Sequence, residues 1–333
     1  MVNYKPTKLL EYLRDGLVEQ EHSGFFVKVG KSVFKIGQDN DYPFYLRSCA
    51  KPLQASLLID FELDKFYDMT QEEIALCCAS HAGEPCHVEV GQKFLKKIGL
   101  KTSCLKCGLH KPISRSEQNK LLLSGESENV FQNNCCGKHI MMLAICQKNG
   151  WKLETYDENT HPLQIAIKKK IYELCQVKEE YPITKDGCGV PIMAMPLENM
   201  LRGFLNLLTD KKYSKIKEAF LANPYLIGGE DRLDTAIMTA NSKLVAKVGA
   251  GGLCIVVNLE TQEGLIVKIL DCDMKARAIA LIEALSQLNW LDETMLTHPL
   301  IKAQNKREIQ TLHGEKVGFV KCCFELGQSV NRT

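Results

Sequence analysis

The sequence has little of what marks membrane, secreted or nucleic-acid-binding proteins. No run approaches the roughly 18 apolar residues that a membrane-spanning helix needs. The first thirty residues contain no apolar segment of the secretory type, so we expect no signal peptide. The net charge is only +2 and no basic block stands out, which leaves no electrostatic footprint for nucleic acid. We therefore expect neither nucleic acid nor a membrane as a partner.

Nucleotide-binding patterns are also absent. Three glycines cluster at Gly249, Gly251 and Gly252, but no G-x-x-x-x-G-K pattern is present anywhere in the chain. A phosphate loop is therefore not indicated, and we expect no organic cofactor.

Cysteine, in contrast, is abundant. The chain has 15 cysteines, an odd number, and several are adjacent in sequence and therefore awkward to bridge. An odd count without a secretory segment favours reduced thiols and a cytoplasmic location over a disulfide framework. Most of them are expected to be small buried hydrophobes. Cys104 and Cys107 form one Cys-x-x-Cys pair without a second pair at finger spacing, which fits buried thiols better than a metal or redox site.

Strand patterns concentrate near the two ends of the chain. A first hairpin is predicted from residues 25–29 and 32–36, joined by Gly30-Lys31, because a two-residue loop that opens with glycine suits a type II′ turn. A second hairpin is predicted from residues 253–259 and 265–270. These patterns predict an antiparallel sheet that is built from both termini.

Apolar residues between the hairpins recur mainly with helical spacing. The predicted helices lie around residues 53–61, 71–79, 87–98, 138–148 and 163–177, with another at 276–291 and a last strand at 316–326. We predict an α/β (α+β) fold and one catalytic unit over residues 1–333. Its sheet lobe is expected at about residues 1–47 and 245–333, and a mainly helical lobe is inserted at about residues 48–244.

The sharpest chemical signal is Ser48 followed by Lys51 in the segment R-S-C-A-K-P. On a helix, two residues three apart lie on one face within reach of each other. A serine hydroxyl needs a base to become a nucleophile, and a neutral lysine can be that base where its ammonium form is disfavoured. Pro52 fits a first helical turn, and a helix start offers backbone donors to an oxyanion. Taken alone, the pattern also fits an N-cap serine before a surface lysine.

Three further clusters carry polar or sulfur chemistry beside glycine. Residues 80–85 read S-H-A-G-E-P, residues 133–139 read N-N-C-C-G-K-H, and residues 185–191 read K-D-G-C-G-V-P. The first also fits a polar helix-to-loop junction, and the other two fit glycine turns with buried cysteines. Glycine lets the backbone approach a ligand closely, so the clusters are equally candidates for a site.

In this number and order the clusters resemble the serine–lysine L-asparaginases, a family often filed as asparaginase II. The resemblance covers nearly the whole chain, with matching segments at residues 16, 21–24, 47–54, 81–85, 133–139, 186–191, 228–235, 247–250 and 267–269. It implies a fold similar to serine β-lactamases and glutaminases, hydrolysis of L-asparagine to L-aspartate and ammonia, and a homodimer.

The resemblance also implies roles for individual residues. Ser48 and Lys51 correspond to a first Ser–Lys dyad, and Ser80 and Lys268 to a second. Two ammonium groups close together would drive one lysine toward its neutral form, which would supply the base for Ser48. Substrate-binding roles are implied for Arg47, His81, Asn133, His139 and Asp186.

A zinc ion near the active site is implied as well, with Cys135, Lys138 and Cys188 as ligands. Two thiolates and a nitrogen suit tetrahedral zinc, and the lysine must lose a proton to bind. Several positions depart from the usual pattern of the family without removing a proposed catalytic group; they are Cys49, Ala82, Cys136, Gly251 and residues 270–273.

Two other functions remain open at this stage. One is a different Ser–Lys acyl-transfer enzyme, such as a glutaminase, amidase or peptidase. The other is a non-catalytic zinc or redox-sensing module that uses the cysteine clusters. The presence of Ser48, Lys51, Ser80 and Lys268 together argues against the non-catalytic module.

Overall fold

The structure is a computed structural model, and it describes residues 3–326 of the chain. The strands are β1 (Thr7–Arg14), β2 (Leu17–Val29), β3 (Val33–Ile36), β4 (Phe44–Tyr45), β5 (Ile183–Lys185), β6 (Pro191–Met195), β7 (Leu244–Gly249), β8 (Leu253–Asn258), β9 (Glu263–Ile269), β10 (Glu308–Gln310) and β11 (Lys316–Cys322). The α-helices are α1 (Ala50–Asp60), α2 (Leu63–Phe66), α3 (Gln71–Cys78), α4 (Pro85–Lys97), α5 (Arg115–Ser124), α6 (Cys136–Lys148), α7 (Pro162–Leu174), α8 (Leu197–Thr209), α9 (Ser214–Ala222), α10 (Pro224–Ile227), α11 (Leu233–Ala240), α12 (Met274–Gln287), α13 (Glu293–Leu296) and α14 (Pro299–Gln304).

The main sheet is antiparallel and draws its strands from both ends of the chain, as the sequence predicts. Its order is β10-β11-β1-β2-β9-β8-β7, and β3 also pairs with β2. The central join is β2 with β9, in which Phe25 lies opposite Lys268. The long strand β2 makes this possible because its first half pairs with β1 and its second half with β9. The mixed helix and antiparallel sheet architecture confirms the predicted fold class.

The two predicted hairpins are present, but the first loop differs from the prediction. Val29 pairs with Val33, so the loop has three residues, from Gly30 to Ser32, and not two. Gly30 does not adopt a positive φ, so the type II′ turn is wrong. The Gly30 amide instead donates to the carbonyl of Ser32 across 3.2 Å, which closes the loop one residue later.

The inner half of the sheet is covered on both faces. Every residue of β7 and β8 is buried, and helices α8 and α12 both pack on β8 and β9. Strands that are buried on both faces read as continuous apolar runs, which is the pattern of Leu253–Asn258. A lysine in such a strand, as in β7, is therefore a notable exception.

Helices α1, α3 and α6 pack together beside the sheet and carry three of the sequence clusters at their ends. The start of α3 is fixed by a capping box in which Thr70 and Glu73 exchange side-chain to backbone hydrogen bonds. Close packing of α6 on α3 needs glycine at Gly137, because a Cβ there would lie 2.2 Å from the carbonyl oxygen of Leu76. Among residues 3–326, none of the helices has the length and apolar character to cross a bilayer.

Candidate active site

The proposed nucleophile lies in a short turn that leads into a helix. Residues Arg47–Cys49 form a 3₁₀ turn, α1 follows directly, and Pro52 falls in its first turn as expected. Arg47 has a positive φ of 48°, a conformation that costs energy for a non-glycine residue and that often occurs at functional sites. Its side chain is held there, because Nε donates to Asp186 Oδ1 across 2.8 Å. The fold thus presents Ser48 at the positive end of α1.

Two serine hydroxyls meet at this point. The hydroxyl of Ser80 donates to the hydroxyl of Ser48 across 3.3 Å. Ser80 Oγ in turn accepts from the side-chain amide of Asn134, also across 3.3 Å. Because the Ser80 hydroxyl donates this hydrogen bond, the hydroxyl hydrogen of Ser48 remains available to another acceptor. The structure therefore brings together the two serines that the sequence predicted.

Lys51 is buried in the first turn of α1 but does not bond to Ser48. Its ammonium donates to the backbone carbonyl of Asn134 across 2.7 Å. Within residues 3–326 no hydrogen bond joins Lys51 to Ser48, although the two side chains leave the same turn. Asn134 therefore contacts both Ser80 and Lys51, and the sequence had given it no role. Its position beside Asn133 in N-N-C-C-G-K-H was the available signal.

Lys268 lies on β9, as expected, but its partners differ from those predicted. Its ammonium donates to the carbonyls of Gly251 and Ile269, at 2.6 and 2.8 Å, and lies 5.6 Å from the ring centre of Phe44. No hydrogen bond joins it to Ser80 among residues 3–326. Burial lowers the pKa of Lys268, while Cys272 and Asp271 oppose that shift. The Ser80–Lys268 pair is thus not formed as a direct contact in this structure.

A third lysine, Lys247, was missed as a site residue. It lies on β7 with no exposed surface, donates to the carbonyl of Val248 across 2.9 Å, and lies 3.7 Å from Oδ2 of Asp234. Burial lowers the pKa of Lys247 to about 8, Asp234 opposes this shift, and Lys51 adds to it. The charge of Lys51 therefore acts on Lys247, whereas the sequence argument had paired Lys51 with Lys268. The signal available was a lysine within an otherwise apolar strand.

Cys135, Lys138 and Cys188 come together from distant segments. Lys138 Nζ donates to Cys188 Sγ across 2.9 Å, and Cys135 Sγ donates to Oδ1 of Asn134 across 3.3 Å. The neighbouring Cys188 thiol, with the ammonium groups of Lys51 and Lys138, holds the pKa of the Cys135 thiol well below its usual range. The proximity of Cys135, together with burial, raises the pKa of Cys188. Two sulfurs and an amine in one buried cluster are a donor set that suits zinc.

Arg47 and Asp186 form a partly buried pair at the edge of this cluster. The Asp186 side chain is 9% exposed and the Arg47 side chain 38% exposed. Burial would raise the pKa of Asp186, but the ammonium of Lys138 and the guanidinium of Arg47 outweigh it and hold the pKa below its usual range. The pair therefore offers one anion and one cation next to Ser48, as binding of an amino acid requires.

Two of the five predicted substrate-binding residues, Asn133 and His81, have hydrogen-bond partners inside the protein. Asn133 donates to the carbonyls of Cys107 and Gly108, at 2.9 and 3.1 Å, and its side-chain oxygen accepts from the Cys135 amide across 2.8 Å. His81 has no exposed surface; its Nδ1 accepts from the Gly83 amide, and its Nε2 lies 3.2 Å from Cys136 Sγ. Both side chains position the loops of the site.

His139 differs because one ring nitrogen remains free. Its Nδ1 lies 2.6 Å from the hydroxyl of Tyr156, whereas its buried Nε2 has no hydrogen-bond partner among residues 3–326. Burial and the nearby charges of Lys138 and Lys51 lower the pKa of His139, so the ring is neutral near pH 7. A neutral ring with one unpartnered nitrogen retains the capacity to bind a polar group.

A second group of candidate metal ligands lies at the start of α4. Ligand atoms of Glu84, Cys86 and His87 lie within 4.8 Å of one another. However, the His87 Nδ1 accepts the backbone amide of Glu84 across 3.1 Å, and its Nε2 lies 3.2 Å from the carbonyl oxygen of Tyr225. Both ring nitrogens are thus occupied by the backbone, and this arrangement is that of a buried structural histidine.

Comparison with known proteins identifies the family. No protein among the curated ones matches the sequence. Among solved structures, a protein from Bacteroides dorei assigned as a beta-lactamase is 13% identical, with a TM-score of 0.41 over 74% of this chain and 85% of that one. A beta-lactamase from Mycobacterium bovis is also 13% identical, with a TM-score of 0.36 over 74% of this chain and 86% of that one. The profile described as L-asparaginase II matches residues 10–322. The chain therefore belongs to the L-asparaginase II family.

Proposed function

We propose that the chain hydrolyses L-asparagine to L-aspartate and ammonia through an ester on Ser48. The observation that carries the proposal is the contact between the hydroxyls of Ser48 and Ser80, at a helix start and beside buried lysines. Membership of the L-asparaginase II family supports an amidohydrolase, and the Arg47–Asp186 pair supports an amino acid as substrate.

The first half of the reaction forms the ester. Ser48 Oγ attacks the carbon of the side-chain amide, and its proton passes to a neutral lysine amine, for which Lys51 is the candidate base. The positive end of α1 stabilises the oxyanion that develops on the amide oxygen. The carbon–nitrogen bond then breaks, and the lysine returns the proton to the leaving nitrogen, which departs as ammonia.

The second half releases the product. A water molecule attacks the ester carbon, the same lysine takes a proton from it, and the bond from carbon to Ser48 Oγ breaks. The proton returns to Ser48 and L-aspartate leaves, so that the serine and the lysine are regenerated. Ser80, which accepts a hydrogen bond from Asn134, orients Ser48 Oγ for the attack. In the second half it is placed to stabilise the same oxygen as it leaves the ester carbon.

Charge complementarity orients the substrate. We assign the α-ammonium group of asparagine to Asp186 and its α-carboxylate to Arg47, because each pairs opposite charges next to the nucleophile. Binding at both ends of the amino acid fixes the amide relative to Ser48, which accelerates the attack through orientation. The free Nε2 of His139 is a third candidate contact.

Zinc fits the cluster of Cys135, Lys138 and Cys188. The donor set contains two thiols and one amine, which match the preference of zinc for sulfur and nitrogen. When bound, zinc would supply a fixed positive charge that orients a substrate oxygen or nitrogen. The three residues hold the loops that carry Asn134 and Asp186, so their positions bear directly on substrate binding.

Ammonia release from asparagine and glutamine, measured side by side, tests the proposal. Release from asparagine that is lost in Ser48→Ala supports it. A preference for glutamine would instead indicate a glutaminase, and release from neither would leave the non-catalytic module. We also propose that the protein is a homodimer, which light scattering measures. A cytoplasmic location is proposed because all 15 cysteines are unbridged, as in a reducing compartment.

A further inference from the structure

We infer that Lys247 and Asp234 form a positioning pair beneath the nucleophile turn, and that the charge of Lys247 sets the pH at which Ser48 becomes reactive. Lys247 and Asp234 have no part in the roles proposed for Ser48, Lys51, Ser80 and Lys268. The inference rests on the proposed function only in that Ser48 is taken as the nucleophile.

Position is the first argument. The 3₁₀ turn that carries Ser48 packs directly on β7, and Cys49 Sγ donates to the backbone carbonyl of Lys247 across 3.4 Å. The approach is close, because a Cβ on Gly249 would lie 2.9 Å from Cys49 Sγ. A change in the charge at Lys247 therefore acts across one layer of packed atoms on the residues that flank Ser48.

The second argument is that both side chains of the pair are buried and that Asp234 is held by hydrogen bonds. Lys247 and Asp234 have no exposed side-chain surface, and Nζ lies 3.7 Å from Oδ2. Asp234 Oδ1 accepts from the amide of Thr235 at 3.2 Å, and Oδ2 from the amide of Val248 at 3.3 Å. Burying both charges costs several kcal/mol, and apolar residues of the same volume would often serve stability as well. An effect on the neighbouring site would account for a buried ion pair at this position.

The third argument is the balance of charge around Lys247. Asp234 on α11 is the anion that opposes it, whereas Lys51 on α1 and Arg232 before α11 are cations that repel it. Burial raises the pKa of the thiols of Cys49 and Cys78 to about 12, so both stay neutral. Burial likewise raises the pKa of Cys254 and lowers that of His81, which leaves these groups neutral too.

Arg277 on α12 is a further buried cation, because its guanidinium donates to the carbonyl of Gly249 at the end of β7. The cluster thus holds four cations and one carboxylate when every lysine is protonated. Like charges in a poorly solvated space titrate together, and the first proton to leave belongs to the group of lysines as a whole. A cation at Lys247 favours the neutral form of the base beside Ser48. Its removal should let that base keep its proton to higher pH, and removal of the Asp234 charge should do the opposite.

The test is the rate at which Ser48 reacts with a fluorophosphonate probe between pH 6 and pH 10, followed by intact mass. The probe needs only an activated serine, since Ser48 Oγ bonds to phosphorus and fluoride leaves with the proton. The wild-type rate should rise with pH as the group of buried lysines loses its first proton. Lys247→Met should move the midpoint up and Asp234→Asn should move it down, each by about one pH unit, or roughly tenfold in the rate at fixed pH.

Two further variants keep the test decisive. The double change of Lys247→Met with Asp234→Asn leaves no unpaired buried charge, so it should fold even where Lys247→Met alone does not. Its midpoint should lie above that of Asp234→Asn alone, because the two variants differ only in the Lys247 charge. Lys247→Arg keeps a cation and should stay at or below the wild-type midpoint. Lys243→Met, at a lysine just before β7 whose side chain is 57% exposed, is the matched control and should leave the midpoint unchanged.

Variants that lose stability or rate without moving the midpoint would show a merely structural pair and overturn the inference. If the probe labels Ser48 and the midpoints shift as expected, but no ammonia is released from asparagine, the proposed substrate is wrong and the inference about Lys247 is supported. If ammonia is released but the midpoints do not shift, the proposed function is supported and the inference about Lys247 is wrong.

Discussion

The hydroxyl of Ser80 lies 3.3 Å from that of Ser48 and donates to it, although the two residues flank different α-helices. Ser48 precedes the start of α1, and Ser80 follows the end of α3. The contact joins the strongest sequence signal, Ser48 with Lys51, to the S-H-A-G-E-P segment. It also separates the roles of the two serines, because the donor is oriented by Asn134 and the acceptor keeps its own proton for transfer.

Ser48→Ala should abolish turnover while Ser80→Ala should only weaken it. Loss of the nucleophile removes the covalent route and is expected to lower kcat by about 10³ or more. Loss of Ser80 removes one orienting bond, so a smaller reduction of about 10- to 100-fold is expected. Steady-state kinetics on asparagine measures both, with circular dichroism to confirm that each variant folds. Near-normal kcat in Ser48→Ala would shift the nucleophile to Ser80.

Activity should increase on the alkaline side of neutrality, and Lys268 should contribute to it. Burial lowers the pKa of Lys268, so its neutral form appears at lower pH than that of an exposed lysine, and the fraction able to accept a proton rises as pH rises. Lys51→Met and Lys268→Met should each lower kcat severely.

The pH dependence of kcat and kcat/KM in the two variants provides the check. Lys275→Met, at an exposed lysine of α12, serves as the control. Full activity with an unchanged pH profile in either Lys51→Met or Lys268→Met would contradict a role for that lysine in proton transfer.

Metal removal should raise KM more than it lowers kcat. The cluster of Cys135, Lys138 and Cys188 holds the loops beside the substrate, whereas the attack belongs to Ser48. Acid should release the metal, because thiolates must stay deprotonated to bind it. Elemental analysis of protein purified without added metal, together with kinetics after chelation, measures both effects.

Cys135→Ser and Cys188→Ser should lose the metal and show the raised KM, while Cys323→Ser, at a partly exposed cysteine after β11, should do neither. Metal well below one ion per chain that is unchanged in both ligand variants, with KM unchanged, would reject the zinc site. The serine and lysine chemistry would remain.

Stability should fall steeply above about pH 9. Burial raises the pKa of many core thiols, among them Cys175 and Cys254, so the folded chain keeps protons that the unfolded chain releases near pH 9. The unfolded state then binds fewer protons, and the free energy of unfolding decreases as pH rises, by at most about 1.4 kcal/mol per pH unit for each such thiol. The lowered pKa values of Lys247 and Lys268 act in the opposite direction, but the buried thiols with a raised pKa outnumber these two lysines.

Urea unfolding under reducing conditions at pH 8 and pH 10 measures this loss. Cys254→Ala should be less stable at pH 8 because of lost packing, yet should lose less stability between the two pH values. The matched change Cys272→Ala, at an exposed cysteine, should leave the difference as in the wild type. A flat dependence in the wild type would contradict the prediction.

Local sequence patterns predicted the second hairpin and helices α1, α3, α4, α6, α7 and α12, because burial in those elements follows a regular period. The predictions did not include other helices, such as α5, α8, α9 and α11. The sequence patterns did not predict β1 or the first half of β2. In these segments charged and polar residues alternate with apolar ones at an exposed part of the sheet. The first turn was wrong for a related reason. Glycine permits a type II′ turn, but the register of β2 and β3 is set by which side chains face the core.

For the site as well, the sequence predicted some features and not others. The clusters were visible in the sequence because serine, cysteine and glycine recur at short spacing, yet their mutual contacts depend on segments that are far apart. Asn133 and Asn134 are adjacent, and only the fold decides that one holds a loop and the other contacts Ser80 and Lys51. Lys247 was missed because its effect arises from burial, which a single lysine in a strand does not reveal.

The pairing of β2 with β9 has a consequence for the synthesis of the protein. It joins Phe25 to Lys268, about 240 positions apart, and such distant contacts make folding slow because the loop between them must close first. While the ribosome is still adding residues 30–262, strand β2 has no partner on its β9 side. Its apolar half, Phe25–Val29, is then open to other chains. We therefore expect nascent chains that stop short of β9 to depend on chaperones and to aggregate on release, although they already contain Ser48, Lys51 and Ser80.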